Sequence, residues 1–266
     1  MTTIAVLGAG KIGEALLSVL KRGPNDLVFT ERHSERRAEV TRRHGVPAVS
    51  VAEAAAVADV LVVAVKPQDI DPLLAELVEV IKQGTLVVSL CAGLPTTLYE
   101  RQLPQGTPVI RVMPNTPMIV GQAMSVLSTG SHATEEHVRL VEQLLGAVGK
   151  VLQVPEAQQD AVTALSGSGP AYFFYLVEAM IDAGILLGLP RAVATELIIQ
   201  SAVGAAAMLN DTGEHPVTLR EAVTSPAGTT IMAIRELENH GVRAALLAAI
   251  EAARDRARDL GREHEA

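Results

Sequence analysis

From the amino terminus to about Val154, short runs of branched apolar residues alternate with stretches whose apolar positions recur at helical spacing. The opening reads as a strand from Ile4 to Leu7, a helix from about Lys11 to Arg22 and a strand from Leu27 to Thr30, which is a βαβ unit. Further strands are predicted at Val60 to Val65, Leu86 to Leu90 and Pro108 to Val112, separated by segments of helical composition. Strands that are apolar along their length and joined by helices predict a mainly parallel sheet covered on both faces.

Beyond Val154 the pattern changes, and long Ala-rich and Leu-rich segments replace the short runs. Helices are predicted at Glu156 to Leu165, Pro170 to Leu187, Arg191 to Leu209, Pro216 to Val223, Thr229 to Asn239 and Val242 to Gly261. The chain therefore divides into an α/β domain, 1–154, and an all-helical domain, 155–266, joined by a turn at Val154 to Glu156 and packed tightly rather than swinging freely. Ala171 to Leu189 is apolar enough to suggest a membrane span, but it carries Glu178 and Asp182 and ends at Pro190. A helix buried in a core or subunit interface fits it better, and no membrane partner is expected. Segments such as Ile185 to Leu189 and Ala202 to Leu209 exceed what one thin helical layer covers, which predicts a homodimer.

Composition narrows the function. A chain of 266 residues, 48% of them hydrophobic, buries a substantial core and is not disordered. A net charge of −8 and a pI near 5.4 disfavour a nucleic-acid partner, which would need a basic face. Cys91 is the single cysteine and forms no internal disulfide; with no basic segment followed by an apolar run at the start, a cytoplasmic location is expected. No spacing of His, Cys or carboxylates suggests a metal.

Gly8-Ala9-Gly10-Lys11-Ile12-Gly13 matches GxGxxG between a strand and a helix. In that context Gly8 makes the tight turn, Gly10 admits a pyrophosphate to the backbone and Gly13 lets helix and strand pack closely, as in a Rossmann dinucleotide site. An ordinary βα turn is the alternative. The end of the second strand offers two discordant charges: Glu31 suits the free ribose diol of NADH, while Arg32, backed by Arg36 and Arg37, suits the 2′-phosphate of NADPH. Arg32 favours NADPH, and NADH stays open. Ala64-Val65-Lys66-Pro67, Cys91-Ala92-Gly93 and the Arg111 to Pro117 loop, with Asn115, each end a strand and are expected to converge on one crevice. Proline stiffens two of these loops.

In the helical half, Leu165-Ser166-Gly167-Ser168-Gly169-Pro170-Ala171-Tyr172 starts a helix and leads into four of the chain's six aromatics, Tyr172 to Tyr175. A subunit contact or helix core is the plainer reading, with the glycine loop bordering a substrate as the other. Thr224 to Glu238 runs a compact loop of small residues into a helix, so that Ser225, Gly228, Thr229 and Thr230 surround unpaired N–H groups suited to a carboxylate. A well-capped helix without a ligand is the alternative. No lysine follows Lys150 and neither second-half motif contains histidine. Alcohol oxidation normally needs such a base, whereas a protonated imine needs mainly positioning against a nicotinamide.

These motifs together resemble Δ1-pyrroline-5-carboxylate reductases along the whole chain: GAGKIG, AVKP, CAG, RVMPNTP, ALSGSGPAYFF at Ala164 to Phe174 and, most specifically, TSPAGTTIMAIRELE from Thr224. The resemblance implies an NAD(P)H-binding Rossmann half, an interlocking helical dimerisation half, assembly up to a decamer of five dimers, and reduction of pyrroline-5-carboxylate to L-proline. It carries the cofactor loops onto Gly8 to Gly13, Arg32, Ala64 to Pro67 and Cys91 to Gly93. It carries the substrate loop onto Ser225 to Thr230, with Thr230 bonding the ring nitrogen. Ala227 departs from the family's Ser-Pro-Gly-Gly, which bears on substrate range. A β-hydroxyacid dehydrogenase would place a catalytic lysine in the helical half, and a non-catalytic NADP-binding sensor would need no loop like Ser225 to Thr230.

Overall fold

The computed structural model describes residues 1–263; the last three positions of the expected helical domain lie outside the described residues. Strand β1 (Thr3–Leu7) is followed by α1 (Lys11–Leu20), β2 (Asp26–Thr30), α2 (Ser34–His44), α3 (Val51–Val57) and β3 (Val60–Val63). The chain continues through α4 (Ile70–Leu77), β4 (Leu86–Ser89), α5 (Thr96–Gln102), β5 (Val109–Met113), β6 (Ala123–Thr129), α6 (Glu135–Gly146) and β7 (Gly149–Gln153). The strands form one sheet in the order β2-β1-β3-β4-β5-β6-β7, parallel throughout except between β5 and β6.

Side chains of a strand alternate between faces, and here both faces are apolar. Ile4, Val6, Val60 and Val62 join one buried cluster with Leu16, Leu17 and Leu20 of α1. Ala5, Leu7, Leu61 and Val63 join a second with Ile70, Leu74 and Leu77 of α4. Burial on both sides is why these strands read as unbroken apolar runs, and each buried Leu or Val contributes about 1.5–3 kcal/mol. The expected strands lie within one or two residues of β1 to β5. Strands β6 and β7 are additional; β6 buries Ser125 and Ser128, so its polar letters hide a core strand.

After β7 the chain is helical: α7 (Gln159–Val162), α8 (Gly169–Leu186), α9 (Arg191–Thr212), α10 (Pro216–Ala222), α11 (Thr229–Asn239) and α12 (Val242–Glu263). The helix expected at Glu156 to Leu165 is instead a 3-10 turn (Glu156–Gln158), α7 and a π turn (Thr163–Gly167). The Ser168 N–H bonds the Thr163 carbonyl at 2.9 Å, a five-residue step, and the Ser166 carbonyl accepts from Asn115 Nδ2 at 3.2 Å. These bonds divert the last turn from the regular ladder.

By contacts the described residues form two compact units, 1–170 with 253–263, and 171–252. The first encloses both apolar clusters. In the second, Ala194 is the one buried apolar residue, at a point where a methyl on Gly184 would meet its Cβ at 2.8 Å. Phe173, Phe174, Tyr175 and Leu186 are exposed in this single chain, so the apolar stretch of α8 is not the core of its own subunit. By length and composition, Glu156–Leu186 and Arg191–Thr212 are long and apolar enough to cross a membrane.

Candidate functional site

Connections leave β1 toward β2 on one side and continue through β3 to β5 on the other, so the sheet has a switch point at β1 and β3. Ligands of open α/β sheets bind outside the carboxyl ends of the strands at such a point. A cleft of about 510 Å³ opens there, lined by Gly8 and Gly10, by Thr30 to His33, and by Ala64 to Lys66.

The three glycines differ in what they allow. Gly8 has φ +102° and a Cβ there would come 2.9 Å from the Ala64 carbonyl oxygen. A Cβ on Gly13 would collide with the Gly8 carbonyl oxygen and approach Val6 Cγ1 at 3.3 Å, so helix and strand meet backbone to backbone. At Gly10 a Cβ would meet nothing within 4 Å; the space beside it is the open cleft. Gly10 is also the cap of α1 and offers no side chain to its first N–H groups. An uncapped helix start beside an open, glycine-lined space fits a pyrophosphate. Of the remaining loop residues, Lys11 is exposed, Ile12 packs against the core, and Ala9 is buried with its N–H directed to Glu31 Oε2 at 3.4 Å.

Glu31 Oε1 also accepts the His33 N–H at 2.9 Å and lies 3.0 Å from His33 Nδ1. Burial pushes the Glu31 pKa up, but donation from the His33 backbone and ring and the Ala9 N–H outweighs it, leaving the carboxyl below its ordinary value. Arg32 makes a two-bond pair with Asp69, Nη1 to Oδ1 at 2.8 Å and Nη2 to Oδ2 at 3.3 Å. Arg36 is engaged elsewhere, with the Ala9 carbonyl, Glu14 and Glu39. Arg37 lines the cleft and donates Nε to the Glu31 carbonyl at 3.0 Å.

The loops expected to converge do so unequally. Ala64, Val65 and Lys66 reach the cleft, and Pro67 starts the 3-10 turn that carries Asp69 beside it. Cys91, Ala92 and Gly93 do not line it. The Cys91 thiol is buried, its Sγ 3.3 Å from the Val65 carbonyl, and burial pushes its pKa up. Gly93 has φ +80°, and a Cβ there would lie 3.0 Å from Leu260 Cβ, so the last turns of α12 occupy the outer side of this turn. Asn115 is absent from the cleft lining as well: its Oδ1 accepts the Met124 N–H at 2.9 Å while its Nδ2 holds the π turn. Arg37, named in the sequence beside Arg32, lines the cleft, and so does Asp69, which was not singled out because it belongs to no glycine or proline motif.

In the second unit, the Gly228 N–H bonds the Ser225 carbonyl at 3.0 Å, closing a turn with Pro226 and Ala227 at its centre. Ala227 has φ +56° and is the single non-glycine residue with positive φ in the described chain. The third position of such a turn demands that conformation, at about 1–2 kcal/mol for a residue with a Cβ. A Cβ on Gly228 would collide with Ser225 Oγ. Gly228 caps α11 without a side chain, Ser225 and Thr229 are exposed, and Thr230 is half-buried in the first turn. Small side chains and unpaired N–H groups at an 11-residue helix start form a carboxylate-sized donor cluster.

Comparison with known proteins gives matches to both halves. Residues 156–260 match the family model described as pyrroline-5-carboxylate reductase dimerisation, and residues 3–93 the model described as coenzyme F420-dependent NADP oxidoreductase. A pyrroline-5-carboxylate reductase of Corynebacterium melassecola is 46% identical over 269 residues, covering 98% of this chain and 100% of that one. The solved pyrroline-5-carboxylate reductase of Coxiella burnetii is similar at a TM-score of 0.89 and 35% identity, over 97% of this chain and 98% of that one. A Plasmodium falciparum pyrroline carboxylate reductase solved with NADP bound gives 0.89 at 25% identity, over 98% of each chain.

Proposed function

The chain belongs to the pyrroline-5-carboxylate reductase family, and from that premise we propose that it reduces Δ1-pyrroline-5-carboxylate to L-proline with NADPH, NADH serving as a second donor. The observation that carries this is identity along the full length, with a nucleotide cleft in one unit and a donor-rich helix start in the other retained in one chain. Family membership brings oligomerisation through the helical half. The proposed assembly is a homodimer, extended to a decamer of five dimers, in the cytoplasm. Protein, rather than lipid, then covers the exposed faces of α8 and α9.

A bound nicotinamide supplies the hydride that saturates the C=N carbon, and the nitrogen takes up one proton. The chain's part is to hold and orient. Gly10 and the start of α1 receive the pyrophosphate, Arg32 the 2′-phosphate, and Val51 and Leu73 give the cleft apolar surface for a flat base. N–H groups at the start of α11 hold the substrate carboxylate, with Ser225 and Gly228 shaping the turn and Thr229 beside it. Thr230 bonds the imine nitrogen through its hydroxyl and so orients the C=N bond or delivers the proton. Thr230→Val keeps the size and the backbone donor but removes that hydroxyl. Turnover on pyrroline-5-carboxylate should fall roughly ten- to a thousand-fold with NADPH affinity nearly unchanged. Unchanged turnover in a nicotinamide absorbance assay would make the hydroxyl structural, and no oxidation of NADPH by the native protein would refute the function.

A further inference from the structure

Arg32 follows β2 and Asp69 follows β3, two strands that flank β1, so the pair spans the mouth of the nucleotide cleft. Asp69 is the anchored member, with a side chain 26% exposed against 69% for Arg32. The guanidinium presents two parallel N–H groups to a carboxylate, and a phosphate ester takes the same fork. Its neighbours are less exchangeable: Arg36 is held by two carboxylates and a carbonyl, and Arg37 braces the Glu31 carbonyl.

We infer that Asp69 sets the cofactor preference of this cleft by competing with the 2′-phosphate for Arg32. An incoming phosphate must detach Arg32 from a two-bond partner and then sit near the released carboxylate, a like charge. A dinucleotide with a free 2′-hydroxyl leaves the pair intact and incurs neither cost. The carboxylate at 69 therefore narrows the gap between NADPH and NADH, which Arg32 alone would widen. This rests on the assignment of Arg32 to the phosphate, and the test separates the two.

The probes are 2′,5′-ADP and 5′-AMP, titrated calorimetrically against the full-length protein, so that binding is read without turnover. Asp69→Asn should bind 2′,5′-ADP about five-fold tighter, the scale of an exposed ion pair, with 5′-AMP changed less than about two-fold. Asp69→Ala should do the same, and Asp69→Glu, which keeps the charge, should stay near the native value. In an Arg32→Ala background the gain from Asp69→Asn should vanish, which loss of a merely structural contact would not produce. If Arg32→Ala weakens 2′,5′-ADP while Asp69→Asn and Asp69→Ala leave it unchanged or weaker, the competition is overturned and the role of Arg32 survives. If Arg32→Ala leaves 2′,5′-ADP unaffected, both fall.

Discussion

The two compact units spend their apolar residues differently. In residues 1–170 with 253–263, strands are covered on both faces by the chain's own helices, and Leu16, Leu17, Leu74 and Leu77 are sealed from water. In residues 171–252, Val193, Leu197, Ile199, Val203 and Met208 of α9 stay exposed although the sequence is as apolar as a core. One unit completes its core alone and presents a polar-rimmed cleft. The other holds half of a core, and membership of a dimerising family says that protein completes it.

The sharpest way to break this contrast is to charge the open half. Val203→Asp, at a position 57% exposed in the single chain, should raise the dissociation constant for subunit association about a thousand-fold or more by burying an unpaired carboxylate. Sedimentation would read the loss, and 2′,5′-ADP binding to the self-contained unit should persist. If assembly survives, that face of α9 is not the covered one. Next in size is Gly10→Val. Its side chain enters open space rather than core, so dinucleotide affinity should drop at least about a hundred-fold while the melting temperature holds. Retained affinity would reduce GxGxxG to a turn.

The smallest effect sharpens the electrostatics of the closed unit. Glu14 lies among Arg36, Arg43 at 2.7 Å and His44 at 3.0 Å. Burial raises its pKa, but hydrogen bonds from His44, Arg36 and Arg43 outweigh this and lower it from 4.5 to about 2. A folded pKa below the unfolded one gives stability that is fully present above about 4.5 and lost as pH falls through about 2. Glu14→Gln should therefore cost about 1 kcal/mol at pH 7, after allowance for solvent screening, and the difference from native should close on acidification. A constant difference at every pH would assign the loss to packing.

Much of this was legible in the sequence because the informative residues are adjacent. The βαβ opening with its glycines lies within 30 residues, and the Ser225 to Thr230 turn runs directly into its helix. Strands β6 and β7 were not legible: serines at buried positions 125 and 128 break the apolar pattern, with Ser128 Oγ satisfied by the Val154 carbonyl at 2.7 Å. Asp69 was hidden for another reason, since its partner stands 37 positions away and only the strand order brings them together. Cys91 to Gly93 and Asn115 sit in motifs that end strands, yet Cys91, Gly93 and Asn115 engage a neighbouring loop carbonyl, α12 and the π turn, respectively. Motif position located these loops without revealing which atoms they face.

Arg111 gives the chain a seam where composition shows none. Buried in β5, it reaches Glu156 and Asp160, each at 3.5 Å, while Glu156 accepts the Thr96 N–H and hydroxyl, both at 2.7 Å. Asn115 holds Ser166 a little further on. The first helical turns after β7 are thus riveted to the sheet, and the compact unit runs to Pro170 although the strands end at Gln153. Covalent order and mechanical order part company there. For cutting, grafting or circularly permuting this protein, the piece to move is 171–252, since the end of α12 stays with the sheet, and a break at the Val154 turn would strip the sheet of its own rivets.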